Sequence, residues 1–275
     1  MSSSASVSNL FKHGLPLITS ATQNIYAPTG KWILGTAGAV VGMIHVGGVT
    51  RLTQSGLSMT SWSPLGSLPP ITHQEWLDEF ERYKQFPEWQ QRKSMTLSEF
   101  QFIYGWEYGH RMLGRTVGLI FVVPWMYFTL RGKIPTGYQK RMVGLITMGA
   151  TQGVVGWWMV KSGLGDDRRG EKKEIRVKPI RLTAHLSMAV ATYGALLWTG
   201  FDILSLPHNS TTISEQVTKL SKDAIRHASR LRAGSILLTG LTGITILSGA
   251  LVSKTPLLSH TVQALFDLNL HNQQL

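Results

Sequence analysis

The amino-acid sequence predicts an all-α membrane protein, a polytopic helical bundle with five transmembrane helices. Its hydrophobic residues, 43% of the 275, gather in long apolar runs that polar loops separate. Five of these runs approach or exceed the ~20 residues that an α-helix needs to cross a bilayer. The predicted spans are residues 32–49, 102–130, 142–160, 182–201 and 233–252.

The amino-acid composition excludes several kinds of site and makes nucleic acid an unexpected partner. The chain has no cysteine, which excludes disulfides, thiolate metal sites and iron–sulfur clusters within it. The net charge is +12, but the basic residues lie in loops beside the apolar runs, where they suit anionic lipid headgroups. Because apolar spans interrupt the basic residues, we expect a lipid bilayer and no nucleic acid as partner. A metal ion would need histidine, carboxylate or methionine ligands.

Three segments follow from this pattern. Residues 1–30 are rich in serine and threonine and contain no acidic residue, which fits either a remnant of a mitochondrial transit peptide or a disordered tail. Residues 31–205 hold the first four spans and are expected to form a four-helix membrane half. Residues 206–275 comprise a polar loop, the fifth span and a divergent tail.

The first and third spans carry several glycines, and small residues let a neighbouring helix approach closely. We therefore expect these glycines to lie at helix–helix contacts. They are Gly35, Gly38, Gly42 and Gly47 in the first span and Gly144, Gly149, Gly153 and Gly156 in the third.

Two capping-box patterns lie in the long polar loop that follows the first span. Thr72 with Glu75, and Thr96 with Glu99, have the spacing in which side chain and backbone cap a helix N-terminus reciprocally. The first predicts a short helix. The second predicts that the helix of the second span begins near Leu97, before the purely apolar stretch.

The short helix in this loop is predicted to be amphipathic. Trp76, Phe80 and Tyr83 recur at helical spacing between charged residues. This pattern is typical of a helix that lies on the membrane surface, but a solvent-exposed helix packed on other loops would show the same short stripe. Both alternatives stay open.

Two histidines are predicted to face each other across the bundle. Spans two and four run in the same direction, since one span lies between them. His110 is eight residues past Phe102 and ~12 Å deep, and His185 is five past Ile180 and ~8 Å deep. Two imidazoles at similar depth on parallel helices suit the axial ligation of one haem iron. Taken singly, each could instead be a hydrogen-bonded core residue.

Glu107, Arg111 and Arg115 share the second span with His110, and ionisable residues inside a span usually serve a function. Glu107 lies three residues from His110 and four from Arg111, on one helix face. It is expected either to shuttle protons or to form a structural ion pair with Arg111. The two arginines either neutralise haem propionates, or reach the interface and cap neighbouring carbonyls.

His45 is a third candidate ligand. It lies in the last turn of the first span, within ~6 Å of the boundary and so at about the same level as the pair. It ranks lower because no ionisable neighbour shares its helix. We expect it to form a hydrogen bond across a small-residue interface.

Four sequence motifs resemble haem A synthase of the mitochondrial type, over about residues 31–252. They are GGVTRLTQSGLSM at 47–59, EYGHRMLGR at 107–115, GWWMVKSGL at 156–164 and RLTAHL at 181–186. Enzymes of this family cross the inner membrane eight times, as two similar four-helix halves. They oxidise the C8 methyl of haem O to the formyl of haem A, which supplies cytochrome c oxidase.

The resemblance implies roles for individual residues. His110 and His185 correspond to the paired haem ligands of the N-terminal half, and Glu107 to the carboxylate on which the chemistry depends. Arg51, which lies in the first motif, is expected to bind the cofactor together with Arg111 and Arg115. His45 corresponds to no ligand of the family.

The sequence also departs from the family. The second half of these enzymes carries another histidine pair that holds a haem b, whereas His260 and His271 lie in polar surroundings here. Gly240 and Gly249 repeat the spacing of two glycines in the first span. The fifth span therefore corresponds to the first helix of a second half, and we expect a truncated or mis-spliced form.

Three hypotheses for function follow. The chain is a haem O oxidoreductase of the mitochondrial inner membrane, with haem O as substrate and with haem O synthase and an electron-donor protein as partners. Alternatively, it is a non-catalytic bis-histidine cytochrome b or haem carrier. A weaker hypothesis is an assembly factor whose loop 72–86 docks other membrane proteins. Association into a homo-oligomer is compatible with each of them.

Overall fold

The computed structural model describes residues 24–63, 66–165, 175–206 and 222–252. Most of the predicted transit remnant, and the tail with His260 and His271, lie outside the described residues. Within these ranges all regular secondary structure is helical. The elements are α1 Ala27–Leu52, α2 His73–Lys84, a 3-10 turn Pro87–Gln91, α3 Leu97–Leu130, α4 Gln139–Lys161, α5 Pro179–Ser205 and α6 Lys222–Val252.

Three of the five predicted spans are long and apolar enough to cross a membrane. These are α1, α3 and α4, with 26, 34 and 23 residues. Helices α5 and α6 cover the other two predicted spans, but in the described part of the chain they do not reach the same apolarity. The all-helical membrane architecture is thus confirmed, and the number of five spans stays a prediction.

Both predicted capping boxes form. The Thr72 hydroxyl accepts a hydrogen bond from the Glu75 amide, and the Glu75 carboxylate accepts one from the Thr72 amide. Thr96 and Glu99 do the same at the start of α3. Because these bonds satisfy otherwise unpaired N–H groups, both helices begin where the sequence predicts.

The four long helices α1, α3, α4 and α5 form a bundle in which α3 and α5 are diagonal. Helix α1 packs against both α3 and α5, and α4 also packs against both. Helix α6 lies outside this group and packs against α5. The diagonal arrangement leaves α3 and α5 facing each other across the bundle interior.

Helices α3 and α5 run in the same direction, as predicted. At the start of α1, Asn24 donates a hydrogen bond to the carbonyl of Ile203, at the end of α5. Close by, Thr29 donates to the carbonyl of Lys133, just after α3. The C-terminal ends of α3 and α5 therefore both lie beside the N-terminus of α1.

This end of the bundle is the tightly packed one. Ile33 of α1 and Ile203 of α5 are fully buried in a core to which Phe121 and Met142 also belong. Here α1 and α5 approach so closely that a Cβ added at Gly30 would lie 2.7 Å from Leu204. The bundle therefore closes at this end and can open at the other.

The predicted glycine contacts of the first span are wrong for three positions. A Cβ at Gly35, Gly38 or Gly42 would meet nothing within 4 Å. The close approach occurs instead at Gly30 of α1 and Gly200 of α5, where a Cβ would lie 2.7 Å from a leucine side chain in each case. Which face of α1 meets α5 depends on the bundle geometry, and spacing alone does not reveal it.

Helix α2 packs on the protein, which is the second of the two alternatives. Phe80 and Tyr83 are buried, and both rings lie about 5 Å from the ring of Phe100 on α3, at 5.0 and 5.1 Å. Trp76 packs edge-on against Tyr104, at 5.2 Å. The aromatic stripe therefore holds the loop against α3 and does not face lipid or offer Phe80 for docking.

Candidate haem site

The two histidines of the predicted pair line one cavity. This cavity has a volume of about 2200 Å³ and receives residues from α1, α3, α4, α5 and α6. His110 on α3 and His185 on α5 both line it. The diagonal placement of α3 and α5 thus brings together the side chains that the sequence paired by depth.

One ring nitrogen of each histidine is left without a hydrogen-bond partner among the described residues. These are the Nδ1 atoms of His110 and His185, and both atoms are buried. Buried polar atoms are almost always hydrogen-bonded, so this pair of orphaned imidazoles is unusual. It argues against the alternative of two ordinary hydrogen-bonded core histidines.

Glu107 is buried at the loop side of the cavity and accepts hydrogen bonds from three donors. Its side-chain Oε2 accepts from the Ser58 hydroxyl at 2.7 Å and from the Met59 amide at 2.8 Å. Its Oε1 accepts from the Arg111 guanidinium, one helical turn on. The carboxylate therefore ties the loop after α1 to α3, and the predicted Glu107–Arg111 ion pair is formed.

The arginines of α3 hold the same loop. Arg111 donates to the carbonyl oxygens of Ser61 at 2.9 Å and Met59 at 3.3 Å. Arg115 donates to the carbonyl of Ser63 at 2.7 Å. Both arginines line the cavity. Their described contacts are hydrogen bonds to loop carbonyls, so they cap neighbouring carbonyls as the second of the two predicted roles requires. Neutralisation of propionates by these residues stays a prediction.

Two further arginines line the loop side of the cavity. Arg51 lies in the last turn of α1 and lines the cavity. The resemblance predicts that this residue binds the cofactor. Arg176, in the segment that leads into α5, was not anticipated, since a loop position carries no spacing signal. The loop side of the cavity is therefore rich in cationic groups, which suits the anionic part of a ligand.

His45 is not part of the site. Its side chain is exposed on the outside of α1, and its Nδ1 lies 2.8 Å from the carbonyl of Val41, one turn earlier on the same helix. The expected hydrogen bond across a helix interface does not form. This position agrees with the expectation that His45 is a weaker ligand candidate than His110 and His185.

Gln152 is a cavity residue that the sequence did not single out. Its Nε2 donates to the backbone carbonyl of His185 at 3.3 Å, while its buried Oε1 has no partner among the described residues. It lies one turn from Gly156 on α4, and it lines the cavity. A polar residue within an apolar span was the signal that could have identified it.

The residues present fit a haem. In the described ranges, no group of three or more His, Asp or Glu side chains could bind a metal ion by itself. Two imidazoles without further protein ligands match an iron whose remaining ligands come from a porphyrin. The cavity also exceeds the roughly 300–1,000 Å³ of ordinary small-molecule pockets, so a large planar ligand has room.

Comparison with known proteins gives one family. The model of the COX15-CtaA family, described as cytochrome oxidase assembly protein, matches residues 30–263. No solved structure matches the chain.

Three relatives show the extent of the similarity. The chain is 40% identical to "Heme A synthase COX15" of Arabidopsis thaliana over 254 residues, 92% of this chain and 53% of that protein. It is 42% identical to "Heme A synthase COX15" of Homo sapiens over 217 residues, 78% of this chain and 51% of the relative. It is 40% identical to a "Heme A synthase-mitochondrial ferredoxin fusion protein" of Schizosaccharomyces pombe over 228 residues, 81% of this chain and 37% of that protein.

The chain spans about half the length of the Arabidopsis and human relatives, 53% and 51%. The family match nevertheless extends over most of the chain and contains His110, His185 and Glu107. On this evidence the chain belongs to the COX15-CtaA family of cytochrome oxidase assembly proteins, together with the haem A synthases.

Proposed function

We propose that this chain acts in haem A formation as a membrane oxidoreductase that converts the C8 methyl of haem O to a formyl group. The observation that carries the proposal is the pair formed by His110 and His185, two half-buried imidazoles with buried Nδ1 atoms, on diagonal helices that line one large cavity. Membership of the haem A synthase family supplies the reaction.

In this proposal His110 and His185 would hold the haem through its iron. A haem bound there would supply the redox chemistry. Arg51 and Arg176 would provide positive charge for its propionates. Glu107 and Arg111 hold the loop after α1 at this side of the cavity.

Glu107 keeps one route for proton transfer. A carboxylate offers about four acceptor sites on its two oxygens, and three donors are in place, on Oε2 from Ser58 and Met59 and on Oε1 from Arg111. Oε1 therefore retains the capacity to accept one further hydrogen bond. We propose that any proton transfer by Glu107 uses this oxygen.

The proposed location is the mitochondrial inner membrane, crossed several times. Three apolar helices support a membrane location, and the name of the fission-yeast relative, a fusion with mitochondrial ferredoxin, supports both the organelle and a ferredoxin-type electron donor. Delivery of the substrate by haem O synthase remains part of the proposal.

A haem carrier without turnover is the second candidate. The observation that favours it is the set of three donors to Glu107, all of which stabilise the loop. In a carrier this carboxylate would serve structure alone.

The decisive experiment expresses the chain in cells that lack any other haem A synthase and identifies the extracted haems by mass spectrometry. We expect haem A or its hydroxylated intermediate, and we expect both to vanish with His110→Ala and with His185→Ala. His45→Ala is the matched control, because this exposed histidine lies outside the cavity. If neither product forms with the unaltered chain, catalysis is excluded.

Absorption spectra of the purified proteins separate the carrier from the enzyme. Both functions require a six-coordinate, bis-imidazole spectrum that is lost in either cavity variant. Glu107→Gln then distinguishes them, since a carrier keeps its spectrum and its function, whereas the enzyme keeps the spectrum and loses turnover. A spectrum that survives both histidine replacements would refute the site for either function.

A further inference from the structure

Each histidine of the pair lies against a glycine of the neighbouring helix. A Cβ placed on Gly47 of α1 would lie 3.0 Å from Cε1 of His110, with both ring nitrogens within 3.8 Å. A Cβ on Gly156 of α4 would lie 3.2 Å from Cε1 of His185, with both ring nitrogens within 3.7 Å. The two imidazoles therefore occupy space that any side chain at these glycines would fill.

The same arrangement occurs twice in the fold. Gly47 lies five residues before Leu52, the end of α1, and Gly156 lies five residues before Lys161, the end of α4. Helix α1 packs against α3, and α4 packs against α5, so each glycine lies on a helix adjacent to that of its histidine. A chance contact would not repeat with the same helix position and the same ring atom.

Other glycines of the same two helices lack this contact. A Cβ on Gly42, five residues before Gly47 on α1, would meet nothing within 4 Å, and the same holds for Gly144 on α4. Neither of these two glycines lines the cavity. The histidine rings therefore explain why Gly47 and Gly156 lack a side chain, and close helix packing in general does not.

We infer that Gly47 and Gly156 are positioning residues that set the orientation of the two iron-binding imidazoles. The inference rests on the proposed haem function of the pair. A methyl group at either position would push the ring away from the neighbouring helix and towards the cavity, where the iron would be bound. The ring can make this movement in an open cavity, but a bound haem would oppose it.

The test compares four variants of the haem-loaded protein. Gly47→Ala and Gly156→Ala add a methyl group against a histidine, and Gly42→Ala and Gly144→Ala add the same group in open space outside the cavity. All four replacements increase helix propensity equally, so any difference between the pairs comes from the histidine contact. The measurements are the low-spin electron paramagnetic resonance spectrum and the rate of haem transfer to excess apomyoglobin.

We expect shifted g values and about 10- to 100-fold faster haem loss for Gly47→Ala and Gly156→Ala, the range seen when a residue that orients a metal ligand is replaced. The two control variants should match the unaltered protein. All four should fold, because a displaced ring can move into the cavity. Unchanged spectra and transfer rates, or loss of folding in Gly47→Ala but not in Gly42→Ala, would overturn the inference.

Failure of the proposed function gives a different result. If His110→Ala and His185→Ala retain the bis-imidazole spectrum, the pair does not bind the iron and the proposed function fails together with its extension. If these variants lose the spectrum while both glycine variants leave it unchanged, only the positioning role is refuted.

Discussion

Replacement of Glu107 tests whether this carboxylate holds the loop over the site. The side chain is only 2% exposed, and its three donors come from the loop and from α3. Glu107→Ala removes the acceptor for Ser58, for the Met59 amide and for Arg111. Glu107→Gln keeps one oxygen, which can still accept from Ser58 and Met59, and places an amide group against the Arg111 guanidinium.

The structure sets the size of the effect. Breaking a buried ion pair costs ~3–5 kcal/mol because the remaining charge is left without its partner. Arg111 is 13% exposed and keeps the carbonyls of Met59 and Ser61, so we expect the lower end, about 3 kcal/mol, for Glu107→Ala. Glu107→Gln should cost less, about 1.5–3 kcal/mol, which is the range for one hydrogen bond to a charged group.

Amide hydrogen exchange read by mass spectrometry measures this effect directly, since the Met59 amide is itself one of the donors. Exchange protection reports the free energy of local opening. A loss of about 3 kcal/mol corresponds to a roughly 100-fold fall in the protection of residues 55–63. Glu99→Gln is the control, because its carboxylate is on the same helix but caps only the helix start.

A double replacement with Arg111→Gln completes the test. If the two residues act as one clamp, the double variant should lose hardly more protection than Glu107→Gln alone. Unchanged exchange at residues 55–63 in Glu107→Ala would refute the clamp. Equal loss of turnover in Glu107→Gln and Arg111→Gln would assign the carboxylate a structural role, whereas a greater loss in Glu107→Gln would support proton transfer.

Three further predictions concern the bundle and its loop. Gly30→Ala should destabilise the protein by ~1–3 kcal/mol through overpacking against α5, seen as a lower melting temperature, whereas Gly38→Ala, in open space, should not. Tyr83→Phe removes the hydrogen bond to buried Glu88 and should cost ~1–3 kcal/mol in detergent unfolding; an unchanged midpoint would contradict this. Backbone hydrogen bonds lower the pKa of Glu75, so its capping of α2 is present above the ordinary carboxyl pKa and is lost as the pH falls through the lowered value. The difference in α2 amide exchange between Glu75→Gln and the unaltered chain should therefore disappear in acid.

The local features of the fold could be predicted from the sequence because their causes lie within a few residues. The capping boxes at Thr72 and Thr96 define the starts of α2 and α3, since donor and acceptor are three residues apart. The Glu107–Arg111 pair follows from the four-residue repeat of one helix. The shared direction of α3 and α5 follows from the alternation of spans.

The faces of the helices could not be predicted in the same way. An amphipathic stripe identifies which side of α2 is buried but not what buries it, and Phe100 proved to be the partner of Phe80. Likewise, Arg111 and Arg115 carry donors that suit propionates and carbonyls equally. Their partners depend on where the loop after α1 returns to α3, some 50 residues away in the chain.

The sequence by itself determined the helical membrane architecture and the family, because apolar length, caps and motifs depend on residues that are close in the chain, and it predicted the histidine pair. Only the tertiary structure decided that Gly30 and Gly200 mark the close crossing of helices, and that Gly47 and Gly156 lie against the two imidazoles. The reason is that a helix presents many candidate glycines around its surface. Which of them meets a neighbour is fixed by the packing angle and rotation of the whole bundle, to which distant residues contribute together.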